Sequence, residues 1–350
     1  MPISRLNIED FLVFAKSNPV LDVRSPGEYD HAHIPGAFSF PIFNNEERKI
    51  IGTAYKQESR EKAIKLGLDF FGKEMVRHVE EAEKIIALRK RSSREIGVHC
   101  WRGGMRSSAM AWLLDLYGFK VYLLNGGYKA FRHWVLEQFE KEYKLFIVGG
   151  YSGGNKTGVL QELKNAREAI IDLEAIASHK GSAFGGLGMA PQPSQEQFDN
   201  LLALELHKNF DKKIWMEAES QRLGNVNIPF VFYQKMRVQP TFFLDIPFEK
   251  RLSHILDHYG KFEKASLING IMRIKKKLGG LETKTAVNAL LEDDLRTCFS
   301  VLLKYYDKLY LKSTHSKEAG ERELIYIENE TTDAKSITEK LIQDARTRNH

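Results

Sequence analysis

Short apolar runs, separated by longer stretches with helical spacing, dominate the first 142 residues. Apolar runs of strand length lie at residues 20–23, 96–99 and 120–124. The stretch at 46–94 instead places its apolar residues at helical spacing and is rich in charge. Strands that alternate with helices in this way predict a parallel α/β sheet, here with a helical insertion at 46–94.

The same alternation resumes with a new apolar run just after residue 143. Strand-like runs lie at 145–150, 169–174, 213–220, 240–247 and 323–330. Residues 248–311 are helical in period and basic, and the tail of the chain also has a helical pattern. The sequence therefore predicts two α/β domains, residues 1–142 and residues 143–350, the second with a helical, basic C-terminal region.

Composition narrows the class of protein. The 350 residues are 43% hydrophobic and 28% charged, which is typical of globular domains. Only two cysteines occur, so no disulfide framework is predicted and a reducing compartment is favoured. The N-terminus lacks a signal-peptide pattern and no run is long enough to span a membrane, so we expect a cytoplasmic protein without membrane contact. The net charge of +6 is compatible with an anionic partner.

One of the two cysteines lies in a Gly- and Arg-rich turn, "CWRGGMRS". Cys100 directly follows a predicted strand, and a helix is predicted to begin near Ser107. A helix N-terminus and the amides of a Gly-containing loop both favour anions, and Arg102 and Arg106 add full positive charges. These features lower the pKa of a thiol and would equally bind a tetrahedral oxyanion. Cys100, Arg102 and Arg106 are therefore candidate catalytic residues, the alternative being a buried structural cysteine.

A second anion site is predicted by "GGYSGGNKT", which fits the P-loop pattern G-x4-G-K-[ST] between a strand and a helix. Its backbone amides would cradle a diphosphate, Lys156 would reach the terminal oxygens, and Thr157 is suited to ligate Mg²⁺. The candidate diphosphate-binding residues are Gly150, Gly153, Gly154, Asn155, Lys156 and Thr157. Asn155 stands where the pattern has glycine, and asparagine tolerates the left-handed backbone that the position requires. The alternative is a glycine-rich turn without a ligand.

Two further segments are predicted to lie near the P-loop. In "KIWMEAES" an apolar strand ends in Glu217 and Glu219, both candidate catalytic carboxylates. Side chains alternate along a strand, so only one of them is expected to enter the site. "SHKGSAFGG" is a glycine-rich segment past a strand end, and its Lys180, Gly181 and Ser182 are candidates for a loop near the site. The alternatives are exposed carboxylates and a plain flexible loop. No His or Cys spacing predicts a metal site.

The basic segment at 248–284 holds nine lysines or arginines and four acids. Its Arg273, Lys275, Lys276 and Lys277 are candidate RNA-binding residues, and Tyr259 and Phe262 among the charges would suit base stacking. The alternative is a solvated helix face.

Two stretches of the first domain together resemble a rhodanese domain: "LDVRSPGEYDHAHIPGA" and "CWRGGMRS". Rhodaneses carry sulfur or selenium on the loop cysteine. Five residues separate Cys100 from Arg106, one more than in common sulfur-transferring rhodaneses, and this spacing resembles the phosphatase relatives of the fold. A roomier loop suits a phosphate-sized anion.

The whole chain resembles the bacterial tRNA 2-selenouridine synthase family. The resemblance is carried by "CWRGGMRS", the P-loop, "HKGSAFG", "PQPSQEQF", "EAESQRLGNVNIP" and "IKKKLGG". Two positions depart from the family pattern, Asn155 in the P-loop and Lys180, where arginine is expected. The resemblance implies a rhodanese-like domain followed by a P-loop NTPase-like domain.

The resemblance also implies an activity. The 2-thio group of the wobble 2-thiouridine in tRNAs for Lys, Glu and Gln would be S-geranylated from geranyl diphosphate and then exchanged for selenium from selenophosphate. Both compounds would be co-substrates, Mg²⁺ would be an optional companion of the diphosphate, and the motif does not require ATP. A selenophosphate-producing enzyme is a candidate partner.

Two other functions fit parts of the pattern. A rhodanese-type sulfurtransferase fused to a small-molecule P-loop kinase would not act on RNA, and salt-dependent tRNA binding distinguishes it from the first function. A non-catalytic RNA-binding adaptor would not need Cys100, so replacement of that cysteine distinguishes it as well.

Overall fold

A computed structural model describes residues 3–88, 93–314 and 323–347. The chain divides into two compact units, an N-terminal unit of Met1–Gln138 and a C-terminal unit of Phe139–His350. The division lies four residues before the predicted boundary, inside the last helix of the first unit rather than after it.

The N-terminal unit is built on a five-stranded parallel sheet. Its strands are β1 (Ser4–Leu6), β2 (Val20–Asp22), β3 (Phe38–Ser39), β4 (Glu95–His99) and β5 (Lys120–Leu124). They are arranged in the order β1-β5-β4-β2-β3, so β4 is the central strand. Because all strands run parallel, their carboxyl ends, including the end of β4 before Cys100, lie at one edge of the sheet.

Six helices lie in the part of this unit that the structure describes. They are α1 (Ile8–Ala15), α2 (Pro26–His31), α3 (Asn45–Gln57), α4 (Arg60–Leu88), α5 (Met105–Leu116) and α6 (Gly127–Glu140). The helical insertion predicted at 46–94 is the pair α3 and α4, which follow β3 and precede β4 in the chain. The two helices pack on each other. The core is formed by buried strand residues such as Leu21, Ile96 and Val98, against Met110 and Leu114 of α5.

The C-terminal unit contains a second five-stranded parallel sheet. Its strands are β6 (Lys144–Gly150), β7 (Ala169–Ile171), β8 (Lys213–Glu217), β11 (Thr241–Asp245) and β12 (Leu324–Glu328), and the short β9 (Arg222–Leu223) and β10 (Val226–Asn227) form a separate antiparallel pair. The order β12-β11-β6-β8-β7 makes β6 the central strand. The P-loop therefore leaves the middle of the sheet at its carboxyl edge.

The helices of this unit form two groups. Around the sheet lie α7 (Lys156–Asn165), α8 (Leu173–Ala177), α9 (Gln195–Lys208), α10 (Phe230–Arg237) and α15 (Ala334–Thr347). The basic region forms α11 (Phe248–Tyr259), α12 (Lys264–Leu278), α13 (Gly280–Leu291) and α14 (Leu295–Thr314). The second group has an apolar core of its own, and Tyr259 and Phe262 pack against it. Both rings are half-buried, so the expectation that they stack on RNA bases stays a prediction.

Candidate active sites at two anion-binding loops

The Cys100 loop is held in shape by close backbone packing. Gly103 has φ +65°, and a Cβ there would lie 2.9 Å from the carbonyl oxygen of Leu124. A Cβ on Gly127, at the start of α6, would lie 2.4 Å from the carbonyl oxygen of Cys100. The amide of Tyr128 donates to that same oxygen over 2.8 Å. The loop therefore fits only glycine at these two positions, where φ is positive and backbone lies against backbone.

The Cys100 thiol directly follows β4 and is buried, with 3% of its surface exposed. Its Sγ lies 3.2 Å from the Ser107 hydroxyl, which is also 3.1 Å from the carbonyl oxygen of Gly104. Burial raises the pKa of the Cys100 thiol. Hydrogen bonds from the side chain and amide of Ser107, the charge of Arg106 and the amide of Arg102 together lower that pKa by more than burial raises it, so the net shift is downward. The loop thus stabilises a thiolate, as its sequence predicts.

The two arginines of the loop have different environments. Arg106 donates to both carboxylate oxygens of Glu28, over 2.7 and 3.3 Å. Glu28 also closes the capping box at the start of α2, where its Oε2 accepts from Ser25. Burial opposes ionisation of Glu28, yet the hydrogen bond and charge of Arg106 lower the pKa of its carboxyl to about 2. Arg106 is thus fixed as a structural charge beside Cys100, whereas Arg102 is exposed.

A buried ion pair packs next to the Cys100 loop. Arg24 donates to Asp22 over 2.6 Å, and both side chains are almost completely buried. The guanidinium also lies 3.8 Å from the ring centre of Tyr128, whose amide binds Cys100. Arg24 thereby connects the strand end "LDVR" to the first turn of α6, which binds the Cys100 carbonyl oxygen.

The P-loop runs from the end of β6 to the start of α7. Gly150 and Gly153 have φ of +138° and +81°, and Asn155 adopts the left-handed conformation with φ 58° and ψ 36°. The left-handed backbone expected of Asn155 is therefore present. Its side-chain amide donates to the carbonyl oxygen of Thr332 over 2.9 Å, a bond that the glycine of the usual pattern would not make.

The two polar side chains that open α7 point to different partners. The Lys156 ammonium reaches back over the loop to the carbonyl oxygen of Gly150, 3.4 Å away. The Thr157 hydroxyl donates to Glu174 over 3.0 Å. The lysine therefore lies over the concave side of the loop, where the pattern places bound phosphates.

Three carboxyl groups meet beside Thr157. Glu217 accepts from the backbone amide of Glu174 over 2.7 Å, while the carboxyl groups of Glu174 and Glu219 share a hydrogen bond. Both candidate glutamates thus contact Glu174. Glu219 meets the carboxyl group of Glu174, whereas Glu217 is buried and accepts from the backbone amide of Glu174, so the expectation that one of the two enters the site stays a prediction.

This crowding of carboxyl groups changes their protonation. Burial is the main cause that raises the pKa of Glu217 well above its ordinary value, and one of its oxygens has no hydrogen-bond partner among the described residues. Burial and then the charge of Glu174 raise the pKa of Glu219 to about 8. The Glu174–Glu219 pair therefore holds a proton at neutral pH.

The glycine-rich segment lies against these carboxyl groups. Gly181 has φ +64°, and a Cβ there would lie 2.4 Å from a carboxylate oxygen of Glu219. The hydroxyl of Ser182 hydrogen-bonds to Tyr259 and Tyr306, and the Lys180 ammonium lies 6.0 Å from the ring centre of Tyr259. Lys180, Gly181 and Ser182 are thus brought to the P-loop site.

Glutamine side chains tie this segment to the turn after β8. Gln192 donates to the carbonyl oxygens of Ala177 and Leu223, both over 2.9 Å, and accepts from the amide of Asn225. The stretches "PQPSQEQF" and "QRLGNVNIP" therefore act as a scaffold behind the glycine-rich segment.

Sequence patterns did not predict three residues of the P-loop site, Glu174, Tyr306 and Tyr310. Glu174 ends the predicted strand at 169–174, and an acid past a strand end was an available signal. Tyr306 and Tyr310, one turn apart on α14, bind the amides of Ala183 and Gly150 over 3.2 and 3.3 Å. Nothing in the sequence distinguishes these tyrosines from ordinary helix-core aromatics.

The candidate tRNA-binding residues are exposed on α12. Arg273 lies near the glycine-rich segment, since after burial its charge is what lowers the pKa of His179. Lys275, Lys276 and Lys277 occupy the last turn of the helix.

No group of three or more His, Cys, Asp or Glu side chains among residues 3–88, 93–314 and 323–347 is arranged to hold a metal ion. Within the same ranges no helix is both long and apolar enough to cross a bilayer.

Comparison with known proteins agrees with both loops. Residues 143–342 match the family model described as the tRNA 2-selenouridine synthase AAA domain, and residues 9–133 match the rhodanese-like domain. The chain is 32% identical to a tRNA 2-selenouridine synthase of Nitrosomonas europaea, over 84% of this chain and 76% of the relative. It is 33% identical to the protein of the same name from Bdellovibrio bacteriovorus, over 86% of this chain and 90% of the relative. With a thiolate loop in its rhodanese-like domain and a P-loop in the domain that follows, the chain belongs to the tRNA 2-selenouridine synthase family.

Proposed function

We propose that this protein modifies tRNA by replacing the 2-thio sulfur of wobble 2-thiouridine with selenium, through an S-geranyl intermediate. The observation that carries the proposal is the presence of two anion-binding loops in one chain. The first loop stabilises the Cys100 thiolate. The second is the P-loop, in which the Lys156 ammonium lies close to the carbonyl oxygen of Gly150. The relatives are named for selenouridine synthesis on tRNA, which supports tRNA as the substrate.

The first step would take place at the P-loop. The thiocarbonyl sulfur of the uridine attacks C1 of geranyl diphosphate, so that a carbon–sulfur bond forms and the carbon–oxygen bond to diphosphate breaks. The base loses its N3 proton as the sulfur becomes alkylated. Lys156 and the loop amides would stabilise the charge of the leaving diphosphate. The Glu174–Glu219 pair holds a proton beside them and suits exchange with that leaving group.

The second step would use the Cys100 loop. Alkylation makes C2 of the base electrophilic and gives it a neutral thiol as leaving group. Selenium from selenophosphate adds to C2, geranylthiol is expelled, and water takes up the phosphoryl group as phosphate. The loop next to Cys100 would bind selenophosphate as an anion, with Arg106 and the helix N-terminus as the positive environment.

Mg²⁺ fits the P-loop as a companion of the diphosphate. The Thr157 hydroxyl and the Glu174 carboxylate are oxygen ligands only 3.0 Å apart, and magnesium is commonly held by one or two protein oxygens and substrate phosphates. These two residues would hold the ion, which would neutralise diphosphate charge. The chemistry needs only a diphosphate, so ATP is not part of the proposal.

The proposed tRNA substrates are those for Lys, Glu and Gln that carry 2-thiouridine at the wobble position. Arg273, Lys275, Lys276 and Lys277 would contact the phosphate backbone, because lysine and arginine on an exposed helix suit such sequence-independent contacts. A selenophosphate-producing enzyme is the proposed partner for supply of the selenium donor.

Nucleoside mass spectrometry tests the proposal. Tracking 2-thiouridine tRNA incubated with the protein, geranyl diphosphate and selenophosphate should show S-geranyl-2-thiouridine and then 2-selenouridine. Cys100→Ala should abolish selenouridine but leave geranylation. Lys156→Ala should lower geranylation but leave the selenation of tRNA that is already geranylated.

Matched controls exist in the same chain. Cys298→Ala removes the other cysteine, and Lys164→Ala removes a charge from the exposed end of α7. Both should behave like the wild type. Equal loss of both products in Cys100→Ala would contradict the division of labour between the two loops. Absence of tRNA binding would favour a sulfurtransferase that acts on small molecules.

A further inference from the structure

A cavity of about 320 Å³ opens between the end of α12, the start of α13 and the middle of α14. Three lysines line it: Lys277 from α12, and Lys304 and Lys308 from α14. All three are exposed, while the side chain of Tyr305 between them is 9% exposed and forms part of the floor. The cavity thus has an apolar floor and three ammonium groups at its rim.

The positive charge of this cavity is only weakly compensated. The acid nearest in sequence to the α14 lysines, Asp307, is bound by Arg251 over 2.8 Å. Among the described residues, none of the three lysines forms an ion pair, and Glu282 is the one acid in the lining. Lys304 and Lys308 are one helical turn apart, so their charges lie on the same face of α14.

We propose that this cavity binds a phosphate group of the tRNA backbone and extends the tRNA-binding surface from α12 onto α14. This inference rests on the proposed function. Lys277 belongs to both surfaces, so the basic end of α12 continues directly into the cavity. Tyr305 is buried and presents no open ring for base stacking, so the contact is to phosphate and is independent of sequence.

Helix α14 also contacts the P-loop site. Tyr306 and Tyr310 of the same helix bind the glycine-rich segment and the first P-loop glycine. An RNA held at Lys304 and Lys308 therefore lies on the helix that also supports the diphosphate site. Acceptor and geranyl donor are then bound by neighbouring parts of one unit.

The test compares two double variants that remove the same charge. Lys304→Ala/Lys308→Ala removes two lysines from the cavity, and Lys208→Ala/Lys212→Ala removes two exposed lysines, one at the end of α9 and one in the turn after it. Affinity for a labelled tRNA is measured from about 50 to 200 mM salt, the range over which phosphate contacts change binding strongly. Each lost phosphate contact flattens the plot of log affinity against log salt by about 0.7 to 0.9, so the cavity variant, which loses one phosphate contact, should lose about that amount from its slope. The control variant should match the wild type.

Two further outcomes sharpen the result. Lys304→Arg/Lys308→Arg keeps the charge and should retain the slope. An Ala variant that matches the wild type in affinity and slope overturns the proposal and leaves the cavity to another partner, such as an acidic protein. Failure of the wild type itself to bind tRNA would instead overturn the proposed function. Circular dichroism of each variant verifies folding, which exposed lysines should not disturb.

Discussion

Replacing Ser107 by alanine tests how the Cys100 thiolate is stabilised. The hydroxyl has one proton and two acceptors within reach, Sγ of Cys100 at 3.2 Å and the carbonyl oxygen of Gly104 at 3.1 Å. In the thiolate form the proton turns to sulfur, which yields about 1.5 to 3 kcal/mol for a charged hydrogen bond but gives up about 0.5 to 1.5 kcal/mol at the carbonyl. The net gain is about 1 kcal/mol, or about 0.7 of a pKa unit. Ser107→Ala should therefore raise the pKa of the Cys100 thiol by about that amount.

The ultraviolet absorbance of the thiolate, followed against pH, measures this shift. Cys298 does not interfere, because burial raises the pKa of its thiol to about 11. Ser108→Ala, one residue further along α5, is the matched control and should leave the titration unchanged. A shift of about 2 units or more would mean that the hydroxyl points to sulfur in both protonation states. No shift would mean that the backbone amides and the charge of Arg106 stabilise the thiolate without the hydroxyl, and either result refutes the reasoning.

Three other predictions follow from local geometry. Asn155→Ala keeps a left-handed backbone without the amide hydrogen bond and should lower the free energy of unfolding by about 2 kcal/mol, against about 1 kcal/mol for Asn155→Gly, as measured by denaturant titration. The pKa of Glu28 is lowered from 4.5 to about 2, so its contribution to stability is complete above about pH 4.5 and lost as the pH falls toward 2; Glu28→Gln should abolish that part of the pH dependence, and an unchanged profile would contradict it. Gly181→Ala should displace the Glu219 carboxyl and lower geranylation, whereas Gly186→Ala, where a Cβ meets nothing closer than 3.8 Å, should not; equal rates would count against a role for Glu219.

The parts of the fold that local patterns determine could be predicted. The strand, turn and helix around Lys156 were evident from an apolar run, glycines and a helical period. The left-handed Asn155 followed from the conformational preference of one residue type. The parallel α/β class followed from alternation of elements. Each of these depends on residues that are neighbours in sequence.

The composition of the site depends on contacts between distant segments, and there the sequence was less informative. Glu174 meets Glu217 across 43 positions, and Tyr310 meets Gly150 across 160. No spacing rule connects residues so far apart, so these partners could be identified only from the structure.

The far-reaching contacts of the P-loop have a consequence for biosynthesis. The contacts described for the Cys100 loop lie within the first 138 residues, whereas Asn155 binds Thr332, which is 177 positions later. During synthesis the N-terminal unit folds first, so the thiolate loop is complete while most of the other unit is still being translated. The P-loop reaches its final form only after residue 332 has left the ribosome. A chain that terminates before that residue therefore carries a finished cysteine loop without a complete P-loop.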